Sequence, residues 1–132
     1  MSDYDKNSKS KKESIRVSVA EDESAPLDIL KNLAQDESVE VRKALTSNPS
    51  VSFEILEMLS NDKDEDVLVY VAGSEYLPSE LAKKLSRHSS DVVRSMVACN
   101  EKVSQDILLS LSDDDSDEVQ EALAGKIGRA HV

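Results

Sequence analysis

VRKALTSNPSVSFEILEMLSNDKDED, residues 41–66, and VRSMVACNEKVSQDILLSLSDDDSDE, residues 93–118, are two copies of one pattern. Between them lies a third, from Val67, and a fourth precedes them from Ile15. A fifth begins at Val119 and is recognisable only through its first half. The starts at 15, 41, 67, 93 and 119 are 26 residues apart without a gap. One column holds Ile15, Val41, Val67, Val93 and Val119, and another holds Val19, Leu45, Val71, Val97 and Leu123. A third holds Ala20, Thr46, Ala72, Ala98 and Ala124. In the second half, Ile29, Ile55, Leu81 and Ile107 align, as do Leu33, Leu59, Leu85 and Leu111, and as do Ala25, Val51, Leu77 and Val103. A fixed period of this length is the signature of a repeat architecture.

Each copy reads as two short helices. In the first half, Val41, Ala44, Leu45 and Thr46 lie on one helical face. Ser38, Asp64, Ser90 and Ser116 stand just before it, where a short side-chain oxygen caps free amides. This helix is expected to end near Ser47, Gly73, Cys99 and Gly125, with Asn48-Pro49 marking one break. The second half opens with Pro26, Ser52, Pro78 and Ser104, since proline suits a first helical turn. Asp28, Glu54, Glu80 and Asp106 follow, an acidic column that favours the positive end of a helix dipole. Helices of two to three turns cannot stand alone, because nucleation is too costly. Stacked pairs bury each other's apolar columns. The expected fold is therefore all-α, a right-handed α-solenoid of about four and a half two-helix repeats over residues 13–127. Residues 1–12 are expected to be a flexible polar tail and 128–132 a C-terminal tail or cap.

Composition narrows the function classes. The 132 residues carry 27 acidic against 16 basic side chains, a net charge of −11. Such a balance disfavours nucleic-acid backbones and anionic membrane surfaces, both of which attract Lys and Arg. No apolar run reaches the roughly 20 residues that span a bilayer, and the first residues lack the apolar core of a signal peptide. Cys99 is the only cysteine, so no internal disulfide and no all-cysteine metal site is expected. A cytoplasmic setting follows from these features as an expectation.

The pattern D-x-x-x-x-V-R-x-x-x-A-x-N-x-x-x-P-x-E-L-x-x-L-x-x-D resembles the leucine-rich repeat variant and, more broadly, HEAT-like helical repeats. Asp36, Val41, Arg42, Leu45, Asn48, Pro49, Leu56, Leu59 and Asp62 carry it in one copy. Val93, Arg94, Ala98, Asn100, Ile107, Leu111 and Asp114 carry it in another. The resemblance implies a solenoid architecture and leaves activity open. The cysteine-ligated iron–sulfur cluster of that family's founding member is not implied here, because its cysteines are missing, and no cofactor is expected. In HEAT-like arrays, Asp and Arg columns usually form a ladder of hydrogen bonds between neighbouring units. Here Arg16, Arg42, Leu68, Arg94 and Gln120 share one column, with Asp36, Asp62, His88 and Asp114 six residues ahead of its later members. Leu68 interrupts the column and would leave Asp62 in need of another partner.

Catalytic and metal motifs are sparse. The acidic runs at 61–66 and 113–118 begin like calcium loops, which require Gly at the sixth and Glu at the twelfth position. From Asp62 those positions are Val67 and Gly73, and from Asp113 they are Glu118 and Ala124, so both fail. The runs read instead as solvated turns forming an acidic edge. His88 replaces aspartate in its column and reads as a turn residue rather than a base. Cys99 has an acidic neighbourhood, which does not activate a thiol. No catalysis is expected.

The leading expectation is a non-catalytic scaffold that binds a protein or peptide, preferably a basic one steered by the acidic edge. Outer positions of the second helices vary in chemistry, which nominates Lys31, Glu57, Met58, Lys83, Lys84 and Leu109 as partner-binding residues. A homodimer through an uncovered C-terminal end is a further expectation. The alternatives are a HEAT-like lyase or chaperone for a tetrapyrrole, or a structural piece of a larger assembly.

Overall fold

The structure is a computed structural model and describes residues 3–130, with side chains placed to Lys126. Among the described residues it is all-helical, with ten α-helices and no strand. The first helices of the copies are α2 (Glu13–Glu21), α4 (Val39–Leu45), α6 (Glu65–Ala72), α8 (Asp91–Cys99) and α10 (Asp117–Ala130). The second helices are α3 (Leu27–Leu33), α5 (Phe53–Leu59), α7 (Ser79–Leu85) and α9 (Gln105–Ser110). A further short helix, α1 (Tyr4–Ser8), precedes them. Starts within each set are 26 residues apart, as the sequence register requires.

The chain divides into two compact units, residues 1–71 and 72–132. In the first, α2 packs against α4, while α3 packs against both. Val19, Leu30, Leu33, Val41, Leu45, Ile55, Leu56, Leu59 and Val67 are among its buried apolar residues, and each contributes about 1.5–3 kcal/mol relative to exposure. In the second, α8 packs against α7 and α10 around Leu81, Leu85, Val93, Val97, Ile107, Leu111 and Val119. Every one of these side chains belongs to an apolar column of the repeat or stands next to one.

Local chemistry sets the helix boundaries. Ser38 Oγ accepts from the Val41 amide at 3.3 Å, Ser90 Oγ from Val93 at 3.4 Å and Ser116 Oγ from Val119 at 3.4 Å. Asp64 does the same work through Asp66 N–H at 2.8 Å. Pro26 and Pro78 occupy the cap position itself, one residue before the first turn, with φ of −61° and −70°. The turns between copies of the repeat close through side chains: Asp36, Asp62 and Asp114 each accept an amide two residues on, at 2.9 Å. No described residue has a positive φ, so the turns need no glycine, and three in the whole chain suffice.

Two boundaries differ from expectation. Residues 4–8, expected within a polar tail, are helical and packed on α2 and α3. Tyr4 Oη donates to Asp22 Oδ2 at 3.0 Å, and Ser8 is buried. Counting back one period from Leu30, Leu33 and Asp36 arrives at Tyr4, Asn7 and Ser10, so this segment takes the place of a second helix. Its polar residues hid the register from a search for apolar columns. At the other end, α10 does not stop near Gly125 but continues to Ala130, across the expected boundary at residue 127. In the corresponding places Asn48 and Asn100 turn the chain by accepting an amide two residues later. Lys126 fills that position in the fifth copy, and an ammonium cannot accept a hydrogen bond.

Candidate functional site

The recurring charged residues come together as three rungs. Arg16 Nε donates to Asp36 Oδ2 at 2.9 Å, Arg42 to Asp62 at 2.8 Å and Arg94 to Asp114 at 2.7 Å, each pair separated by 20 residues. Nη2 makes a second bond to Oδ1 at 3.3, 3.3 and 3.1 Å, so each pair is a two-pronged charge-assisted contact. Nη1 donates to a main-chain carbonyl six residues earlier, that of Ser10, Asp36 or His88. Each arginine thus clamps the turn before its own helix to the turn that follows. The guanidinium of Arg94 lowers the Asp114 pKa against the opposing effect of burial, with help from the Ser116 amide. The same pairing raises the pKa of Arg94, and the Asp36 partner raises that of Arg16.

This geometry corrects the expected fate of Asp62. Its partner is Arg42, 20 residues earlier, so Leu68 does not leave it unmatched. The six-residue spacing seen in sequence is real, but it joins the arginine to a carbonyl rather than to the carboxylate. Gln120 keeps that part of the pattern, donating to Asp114 O at 2.8 Å. His88 Nδ1 accepts from the Ser90 amide at 3.0 Å, which is the task of Asp36 Oδ1 in its own turn.

A second recurring device was not anticipated from sequence. Asn48 Nδ2 donates to the carbonyls of Ala20 at 2.8 Å and Asp22 at 3.0 Å. Asn100 repeats this toward Ala72 at 2.8 Å and Ser74 at 2.9 Å. Both are buried, and their Oδ1 atoms accept from Ser50 and Lys102 amides. The signal was present as an Asn at the same register in two copies, but the adjacent Pro49 already explained the helix end. An amide that must both donate twice and accept once has no substitute among the other side chains of its size.

Other candidate chemistry dissolves into these roles. The carboxylates of the acidic runs accept turn amides, and the described residues contain no group of three His, Cys, Asp or Glu side chains placed to hold a metal ion. Cys99 is exposed at the end of α8, beside Gly73, Met96 and Lys102. No helix among the described residues is long and apolar enough to cross a membrane.

The nominated partner-binding residues fall into separate places. In the first unit, Lys31 on α3 is exposed and ion-paired to Glu54 of α5, Glu57 is exposed and Met58 half-buried. In the second, Lys83 and Lys84 are exposed on α7. Leu109 on α9 is 68% exposed and borders a small apolar hollow of about 180 Å³ with Leu108 and Leu123.

A larger groove of the first unit lies on the opposite set, the first helices. It measures about 470 Å³ and runs over half-buried Val17 and Ala44, between Glu13, Glu21 and Glu40, to Tyr70. Lys43 Nζ sits 4.5 Å from the Tyr70 ring centroid and 3.5 Å from Glu40 Oε1. Partial burial disfavours the Lys43 charge, but Glu40, Tyr70 and Asp66 outweigh this and its pKa is raised. Tyr70 was missed in the sequence because the period draws attention to shared residues. It is the odd member of a column otherwise made of Ser18, Ala44, Met96 and Ala122.

No protein-family model matches the chain, and neither a characterised protein nor a solved structure does.

Proposed function

We propose that this protein is a non-catalytic interaction scaffold, a HEAT-like right-handed α-solenoid that binds a protein or peptide partner of basic character in a cytoplasmic setting. The division of its polar residues supports this reading. The columns with hydrogen-bonding versatility, Arg16, Arg42, Arg94, Asn48 and Asn100, are consumed in holding turns and helices together. The surplus carboxylates responsible for the net charge of −11 are left mostly at exposed helix starts, such as Asp28, Glu54, Glu80, Asp91 and Asp106. A surface with a surplus of exposed carboxylates suits recognition of a cationic partner, since complementary fields speed encounter and fix register.

Fluorescence anisotropy with labelled peptides tests this. A peptide of alternating Arg and Leu is expected to bind, and its Glu-for-Arg counterpart is not. The affinity should fall as ionic strength rises from about 0.01 M to about 1 M, where the screening length shrinks from about 30 Å to about 3 Å. Binding that ignores salt, or that treats both peptides alike, refutes the electrostatic reading.

A further inference from the structure

We infer that the groove over α2, α4 and α6 of the first unit is the recognition site for a basic peptide segment. An arginine or lysine of the partner lies between Glu13 and Glu21 and reaches the exposed part of the Tyr70 ring that Lys43 leaves open, with a neighbouring apolar side chain on Val17 and Ala44. The inference rests on the scaffold reading above and names its surface.

Four observations converge on it. The groove, at about 470 Å³, falls within the roughly 300–1,000 Å³ typical of ligand clefts. Its walls carry three carboxylates against the single ammonium of Lys43. Tyr70 is 50% exposed, although the whole chain has only three Tyr, one Phe and no Trp. Ser18, Ala44, Met96 and Ala122 show that the repeat does not need a ring in this column. Exposed aromatics beside carboxylates are favoured anchors for guanidinium and ammonium groups.

Lys43 supplies the fourth observation. Its ammonium lies over the Tyr70 ring and beside Glu40, which shows ring and carboxylate holding a cation together, and it leaves Glu13 and Glu21 without an ion pair among the described residues. The hollow of the second unit around Cys99 has Glu75, Glu101 and Lys102 but no aromatic residue, and it lacks this combination.

The test measures the Kd of the Arg–Leu peptide for the full chain and four variants, each checked for unchanged helicity and melting temperature. Tyr70→Ala removes the ring, and Glu13→Gln with Glu21→Gln removes two charges from the walls. Glu75→Gln with Glu121→Gln removes the same charge at exposed positions outside the groove. Each groove variant should bind about tenfold more weakly, and the outside variant should change less than about twofold. Ser47→Arg, which projects bulk and positive charge from an exposed position on the groove wall, should also abolish binding. If the unaltered protein binds the peptide and all variants weaken equally, or none does, the groove is wrong while the scaffold reading stands. If the unaltered protein binds neither peptide, or binds both alike, both readings fall.

Discussion

Asn48 shows how much a single side chain carries in this fold. It is buried, and three main-chain groups from two copies depend on its amide. Asn48→Leu removes all three bonds and leaves the Ala20 carbonyl without its partner. Each buried polar group stranded in this way costs about 1–3 kcal/mol. Urea denaturation should show a loss of at least about 2 kcal/mol, and a neutral result would mean that water replaces the amide. Asn48→Asp should be no better, because a carboxylate has no proton for the Ala20 and Asp22 carbonyls. Asp114 supports a different measurement. Its folded pKa lies below the ordinary carboxylate value of about 3.9. Its ion pair with Arg94 therefore contributes fully above that ordinary value, and the contribution is lost as pH falls through the lowered folded value. Stability measured against pH should decline more steeply below about pH 4 in the unaltered protein than in Asp114→Asn, which has nothing left to titrate. Parallel curves would show that the pair adds nothing.

Among the elements, α1 and α10 are the most instructive, because α1 keeps the period without its apolar residues and α10 runs past the end the period sets. The first is recognisable by register once the rung at Arg16 is known, since Arg16 Nη1 binds Ser10 O as Arg42 Nη1 binds Asp36 O. The last is longer than its counterparts, at 14 residues, and carries Gly125 in its interior. Nothing lies within 4 Å of a Cβ added there, and the backbone is ordinary right-handed helix. Gly125→Ala should therefore raise stability by up to about 1 kcal/mol through helix propensity alone. A decrease in melting temperature would mean that α10 ends at Gly125 in solution, as its sequence column suggested.

At the level of the whole molecule, charge opposes compactness. A net charge of −11 repels itself across a chain of 132 residues, while the three rungs are 9–18% exposed and little screened. Added sodium chloride should raise the melting temperature, by removing repulsion faster than it weakens the rungs. A fall would show that attractive surface pairs such as Lys31–Glu54 and Lys9–Asp5 outweigh the surplus. The same surplus sets the electrostatic part of the proposed recognition, so conditions that most stabilise the protein should weaken its hold on a basic peptide.

Helix type, the starts of the repeated helices and most of the buried column positions were legible in the sequence. They depend on local periodicity, caps and the transfer of apolar side chains from water, which act residue by residue and recur every 26 positions. The partners of Arg42 and Asn48 were not legible, because a hydrogen bond depends on which distant atoms meet at about 3 Å, and spacing along the chain cannot choose between a carboxylate and a carbonyl. The groove at Tyr70 belongs to the same category. Its residues come from three helices, and only their packing decides that Glu13, Lys43 and Tyr70 share one surface.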